Sequence, residues 1–521
     1  MPKRALLALG LAVLSSFTVS TFSASAAPLS TDIPSKTRPT PAGGVASVPV
    51  PVLNWAPCDT SGDGYQCTTA QVPLDYSQPQ GAKVTLSLIR KPATVPSQRI
   101  GSLFTNPGGP GLAASLMVRD LGENAPVELR ERYDIVGFDP RAVGGSTPKV
   151  SCVSLPEYAE QWAATPGRLS SGGFERAVTF GKRFSDGCVA NNAALLPHLG
   201  TENTARDMDL LRAAVGDEQL NFFGFSYGTY LGTVYANLFP QRTRVLALDG
   251  AVGPDSFVNR PYDNNHRQYV AAEASLNRFF AWCTKSPADC SFGDGRPADA
   301  FRRLQASLDV TPVRDANGKV VARGGLFTFW VSLELGYGQS NWSWLATELQ
   351  KAATTRSGAL VSPMSDAYTR YMNLNTAIEC ADRRFPQDVN LLRGKLAAAI
   401  QAAPLLGPAL AHGPANYDQG HAQACAQWPA ERKSSYAGPW NAPGAATALV
   451  IGTTHDPDVP FQDAVELTNA LDNARLLTFE GTTHTTWHYS ECTRSIITRY
   501  LIDGTLPPHH TVCADEPMPT R

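Results

Sequence analysis

Leu220-Asn221-Phe222-Phe223-Gly224-Phe225-Ser226-Tyr227-Gly228-Thr229-Tyr230-Leu231-Gly232 decides how this chain is read. Leu220–Phe225 is a short, aromatic-rich apolar run of strand length, and a helix is expected from Tyr227 to Leu238. Between them stands Gly-x-Ser-x-Gly, the pattern of a nucleophile elbow, a tight strained turn that lifts a serine hydroxyl above the edge of a sheet. Gly224 and Gly228 allow the close backbone packing such a turn demands. The five-residue pattern alone recurs by chance in Gly- and Ser-rich chains. Its place between strand and helix makes Ser226 the candidate nucleophile.

A serine hydroxyl is a poor nucleophile until a base takes its proton, so an acid and then a histidine should follow, each just beyond a late strand. Residues 447–453 read as one such strand, and His455-Asp456-Pro457-Asp458 follows. Asp456 is the preferred acid and Asp458 its competitor; either could instead cap the helix expected at 461–471. A last strand at 475–479 leads through Gly481 to His484, the preferred base, with His488 as the alternative. His509 and His510 sit in the tail and read as surface residues.

Acyl transfer also needs backbone donors aimed at the developing oxyanion. Asn106-Pro107-Gly108-Gly109-Pro110-Gly111 follows an expected strand at 101–105, where such a loop belongs, so the N–H groups of Gly109 and Tyr227 are the candidate oxyanion hole. Neither the Gly-Lys-Ser/Thr of a phosphate cradle nor a dinucleotide spacing accompanies this loop. No metal or organic cofactor is implied.

Outward from the elbow, strands expected at 84–89, 101–105, 133–138 and 245–248 alternate with helical runs such as 204–215. The 133–138 run is nearly all apolar, as in parallel strands covered on both faces. After Gly253-Pro254 the rhythm gives way to helical stretches at 269–282, 327–335, 342–353 and 391–402, and it returns at 447. The expected organisation is an α/β core at 53–254 and 441–515, interrupted by a mainly helical insertion at 255–440. At 521 residues the chain exceeds one ordinary domain, in keeping with such an insertion.

Residues 1–26 combine Lys3 and Arg4, an apolar stretch and Ala24-Ser25-Ala26, which reads as a secretory signal peptide cleaved near Ala26. Its apolar run is barely long enough for a membrane anchor, is interrupted by hydroxyls and has no basic stop on its far side, so no stable membrane insertion is expected. Residues 27–52, rich in Pro, Ser, Thr and Ala, read as a pro-segment or linker. Export makes the ten cysteines disulfide candidates, and neighbours in sequence are the expected pairs: Cys58/Cys67, Cys152/Cys188, Cys283/Cys290, Cys380/Cys425 and Cys492/Cys513. With 44 basic against 46 acidic residues there is no basic surplus for nucleic acid, and 43 % hydrophobic content excludes a largely disordered chain. No signal for an oligomeric state is present.

The motifs together resemble a known family. Asn-Pro-Gly-Gly-Pro-Gly (106–111), Gly-Phe-Asp-Pro-Arg (137–141), Asn-Thr-Ala-Arg-Asp (203–207), the elbow at 224–232, Ala-Ile-Glu-Cys-Ala-Asp (377–382) and Asp-Pro-x-x-Pro (456–460) look like the secreted tripeptidyl aminopeptidases of actinomycetes, relatives of prolyl iminopeptidases. The resemblance implies an α/β-hydrolase core with a mainly parallel sheet, an inserted helical cap at 255–440, and a Ser226, Asp456, His484 triad. It departs at Leu112-Ala113-Ala114, at Ala142 and Gly145 where Gly and His are usual, and at Thr485, which follows His484 in place of Gly. These leave the triad intact and bear on substrate choice.

The expected function is release of tripeptides or similar short units from the free N-terminus of peptides, through an acyl-enzyme. Acids must then pair with the substrate ammonium: Glu379 and Asp382, tethered by Cys380, are the first candidates, with Glu334 and Glu348 behind them. Phe329, Trp330, Trp342 and Trp344 could line subsites or simply pack the cap onto the core. The alternatives are an esterase or lactonase of the same fold, since a triad does not separate amide from ester, and a catalytically silent binding protein.

Overall fold

The structure is a computed structural model and describes residues 48–59, 62–414 and 420–514. The expected signal peptide and nearly all of the segment 27–52 lie outside the described residues.

Among the described residues twelve strands follow one another: β1 (Ala56–Pro57), β2 (Gln66–Pro73), β3 (Lys83–Lys91), β4 (Gly101–Asn106), β5 (Tyr133–Asp139), β6 (Leu220–Phe225), β7 (Thr243–Asp249), β8 (Val313–Arg314), β9 (Val320–Ala322), β10 (Ala448–Thr453), β11 (Ala474–Phe479) and β12 (Val512–Cys513). Ten form one sheet in the order β1-β2-β3-β5-β4-β6-β7-β10-β11-β12. β1, β2, β3 and β5 pair antiparallel, and from β5 through β12 every pairing is parallel.

The central strands are buried on both faces, and their side chains divide between two cores with a period of two. Phe104, Val136, Phe222, Leu246, Leu248 and Val450 enter one core; Leu103, Ile135, Phe223, Phe225, Val245, Leu449 and Ile451 enter the other. The second is closed by helices Ala114–Asn124 and Glu491–Asp503.

Between β7 and β10 the described residues are mainly helical, with the small β8–β9 hairpin and irregular segments between the helices. Helices Leu155–Ala164 and Gly173–Asn192 come earlier in sequence but join this helical layer. Ser185 Oγ donates to the carbonyl of Ala424 at 2.9 Å, and a Cβ on Gly181 would lie 2.2 Å from the carbonyl oxygen of Gln423. A fully buried ion pair ties β5 to helix Thr201–Ala214: Arg141 Nε and Nη2 contact Asp207 at 2.8 and 2.9 Å, and the guanidinium also donates to the carbonyls of Pro73, Leu74 and His198.

All ten cysteines stand in five pairs at disulfide distance, each with its neighbour in sequence as expected. Among the described residues no helix is long and apolar enough to cross a membrane.

Candidate active site

Ser226 sits where β6 turns into helix Tyr227–Leu238, with φ 54° and ψ −125°, a conformation L-residues avoid. Neighbouring backbone explains both elbow glycines. A Cβ on Gly224 would come within 2.6 Å of the Gly228 carbonyl, and one on Gly228 within 2.6 Å of the Asn106 carbonyl. Gly108 is as constrained, since its Cβ would lie 2.5 Å from the carbonyl of Phe225 and 3.2 Å from the nitrogen of Tyr227. The Gly-rich loop after β4 thus presses directly on the elbow. The Gly108 N–H is taken by Asn106 Oδ1 at 2.9 Å.

Asp456 and His484 come together beyond β10 and β11. Asp456 Oδ2 lies 2.8 Å from His484 Nδ1, and Oδ1 accepts the N–H groups of Asp458 and Val459, both at 2.9 Å. Burial disfavours the imidazolium, but the charge and hydrogen bond of Asp456 outweigh it, with Asp458 and Asp249 adding to them, and His484 is raised to about 9. His484 Nε2 is buried and bonds to none of the described residues. Ser226 N donates to the Asp249 carbonyl at 2.9 Å, and a Cβ on the next residue, Gly250, would lie 3.1 Å from His484 Cε1. Serine and histidine therefore flank the end of β7. No hydrogen bond joins them in this resting arrangement, and such contacts often tighten only with substrate.

Asp249 was not singled out by sequence reasoning. Its carboxylate, fully buried at the end of β7, accepts the N–H of Thr486 at 2.9 and 3.0 Å and that of Trp487 at 3.1 Å, so it holds the loop that carries His484. Burial pushes it up to about 6 against those donors. The one signal for it is a lone acid ending the apolar run 245–248.

The competing candidates fall as follows. Asp458 is buried beside the pair: one ligand atom each from Asp456, Asp458 and His484 lie within 4.8 Å of one another, and burial raises Asp458 to about 7. His488 turns away, with Nε2 3.4 Å from Asp120. The acids of the 377–382 motif lie on helix Asp366–Asp382. Glu379 is paired with Arg383 at 3.0 Å, and both oxygens of Asp382 are held by Thr201, from N–H at 2.8 Å and Oγ1 at 2.5 Å. Glu348 accepts the N–H of Ala359 at 2.6 Å.

Glu334 has a different setting. Its hydrogen bond is from Asn341 Nδ2 at 2.9 Å, burial raises it to about 7, and its charge bears on Tyr337 and on Tyr489 of the segment after His484. The same stretch touches that loop, where Gln339 N donates to Thr482 Oγ1 at 3.3 Å.

Phe329 and Trp342 are buried, stacked on Trp162 and between Phe279 and Trp282 respectively. Trp330 packs on Tyr368 at 5.2 Å, Tyr368 on Tyr371 at 5.7 Å, and the Tyr371 hydroxyl lies 3.1 Å from where a Gly109 Cβ would stand. Trp344 is half-buried at the edge of the larger core. The aromatic wall beside the Gly-rich loop is thus built largely of tyrosines.

Residues 102–285 match the family described as alpha/beta hydrolase fold, and residues 414–513 the family described as TAP-like protein. The chain is 33 % identical to "Serine protease Hip1" of Mycobacterium tuberculosis, covering 90 % of this chain and 93 % of that protein. It is 30 % identical to the tripeptidyl aminopeptidase of Streptomyces lividans, over 90 % of this chain and 87 % of the relative. Carboxylesterase B of Mycobacterium tuberculosis is 32 % identical, over 90 % and 91 %.

Proposed function

Because this chain belongs to the tripeptidyl aminopeptidase family of α/β-hydrolase-fold serine peptidases, we propose that it is an exported exopeptidase that releases tripeptides or similar short units from free peptide N-termini. The observation that carries the reading is the buried His484–Asp456 pair at 2.8 Å, set across the end of β7 from a strained Ser226. In this reading Ser226 attacks the scissile carbonyl as His484 takes its proton. Asp456 keeps Nδ1 as the protonated nitrogen, and the N–H groups of Gly109 and Tyr227 receive the oxyanion. His484 then returns the proton to the leaving amine, and water repeats the cycle on the acyl-enzyme. Five cysteine pairs support export.

Residues 255–440 act as the cap, supported by the Gln339–Thr482 contact and by Tyr371 against the Gly-rich loop. We assign the substrate ammonium to Glu334, because Glu379 and Asp382 are committed to Arg383 and Thr201 while Glu334 borders the segment after His484. Tripeptide nitroanilides with free and acetylated N-termini test this. The free substrates should turn over about 10- to 100-fold faster in kcat/KM, as befits one hydrogen-bonded charge. Glu334→Gln should bring the ratio near one, and Ser226→Ala should abolish both activities. Equal turnover of free and acetylated substrates by the unaltered enzyme would reject the exopeptidase and select an esterase-like role, which the carboxylesterase relative favours.

A further inference from the structure

Tyr371, Asn375, Ile378 and Asp382 recur at intervals of four, three and four along helix Asp366–Asp382, which places them in one stripe. That stripe is polar at two of its four positions, yet it is buried except for the half-buried Tyr371. Buried polar groups need partners, and these find theirs on the turn that holds Gly109 and on Thr201, whose hydroxyl also bonds the side chain of Tyr227.

Asn375 Nδ2 donates to the carbonyl of Pro110 at 3.0 Å, in the turn that holds Gly109. The amide is kept in that orientation by His421 Nε2, 2.8 Å from Asn375 Oδ1. At the other end Asp382 Oδ1 accepts the Thr201 N–H at 2.8 Å, and Oδ2 accepts the Thr201 hydroxyl at 2.5 Å. A hydroxyl has one proton, and here the carboxylate receives it. The buried Tyr227 phenol, the other neighbour of Thr201 Oγ1, must therefore donate its own proton to that oxygen. The chain of bonds runs Tyr227 to Thr201 to Asp382, and it anchors by its side chain the residue whose backbone N–H faces the oxyanion. Near Gly109 the same helix adds Tyr371 and Leu374, each within 3.6 Å of where a Gly111 Cβ would stand.

We propose that helix Asp366–Asp382 is the frame of the oxyanion hole, with Asn375 and the Asp382–Thr201 pair as positioning residues for its two donors. The inference rests on the assignment of Gly109 and Tyr227 as those donors. It gives Asp382 a task other than binding the substrate amine. Such donors act only on the transition state, so loosening one lowers kcat while leaving ground-state binding in place.

The test uses the full mature chain carrying Thr201→Val, Thr201→Ser, Tyr227→Phe or the Thr201→Val/Tyr227→Phe double change. Each is assayed on a tripeptide nitroanilide and a nitrophenyl ester, with a peptidyl trifluoromethyl ketone as transition-state mimic and the released tripeptide as ground-state ligand. Thr201→Val should lower kcat about 10-fold on both substrates and weaken the ketone equally, a fraction of the 10²–10³-fold lost with a whole donor. KM and tripeptide affinity should stay within about twofold, since uniform binding is untouched. Thr201→Ser should restore kcat, and the double change should be no worse than Thr201→Val, because both cut one chain. Wild-type kcat and ketone affinity in Thr201→Val would overturn the proposal, and so would a parallel loss of tripeptide affinity. Should the oxyanion reading itself be wrong, the hemiketal that the ketone forms on Ser226 of the unaltered enzyme would keep its oxygen protonated at neutral pH by 13C NMR, whereas an ionised oxygen there establishes the hole independently of Thr201.

Discussion

Asp458→Asn should move the acid limb of activity to lower pH. The substitution keeps the shape of the side chain and leaves the backbone N–H of residue 458 to donate to Asp456 Oδ1, so the Asp456–His484 geometry survives and one negative charge is lost. In the proposed mechanism His484 must be neutral to take the proton of Ser226, and the charges of Asp456, Asp458 and Asp249 all face its ring. Asp458, raised to about 7, is ionised over the range in which a histidine raised to about 9 titrates, so its full charge acts there. The two groups lie within 4.8 Å, and at that limit Coulomb's law gives about 3.5 kcal/mol at an effective dielectric constant of about 20 and about 0.9 kcal/mol at that of water. The corresponding shifts are about 2.5 and about 0.6 pH units, and an intermediate value of about one unit is expected. The sign follows directly: with less negative charge nearby the imidazolium is less stable, His484 releases its proton at lower pH, and the neutral base persists further into acid. The assay is kcat/KM against pH from about 5 to about 10 on an unblocked tripeptide nitroanilide, which reports the free enzyme. A limb that stays within about 0.2 units of wild type, or that moves upward, refutes the electrostatic reasoning.

Two further outcomes concern stability. Asp207→Asn should lower the unfolding free energy by about 3 kcal/mol or more in urea, because it leaves the Arg141 guanidinium buried without its counter-charge; a loss below about 1 kcal/mol would mean that the carbonyls of Pro73, Leu74 and His198 suffice to hold it. Thr485→Gly should raise the unfolding free energy by about 0.5 to 1 kcal/mol, since a β-branched residue is held at φ 64° beside His484. A destabilised Thr485→Gly variant would show that the freedom gained by the unfolded chain outweighs the relieved strain.

How far residues declare their structure depends on how far away their partners are. β6, the elbow and the following helix were legible to the residue because the close contacts that demand its glycines are local or come from a glycine loop with its own signature. The parallel strands on either side were legible within two residues, being apolar runs of strand length. Helix Gly173–Asn192 was not, for Gly181 and Gly187 weaken its helical propensity. Their purpose appears only in the folded chain, where a Cβ would meet the carbonyls of Gln423 and Cys152 at 2.2 and 2.1 Å. Helix Asp366–Asp382 was recognised as a motif but not as a buried frame, because Asn373, Asn375 and Asp382 look like surface residues until their partners are found at Cys152 and Val153, at Pro110 and at Thr201. Nor does the sequence reveal the partners of Glu379 and Asp382, Arg383 and Thr201: an acid beside a tethering cysteine has no sequence mark that separates a ligand from a strut. Two departures from the family pattern carry the opposite lesson. Ala142 and Thr485 stand where glycine is usual, and the structure holds them at φ 68° and 64°. A positive φ that glycine adopts at no steric cost falls here on side chains that resist it. At Thr485 that resistance lies next to the candidate base, so a departure expected to bear on substrate choice also bears on how firmly the His484 loop is set.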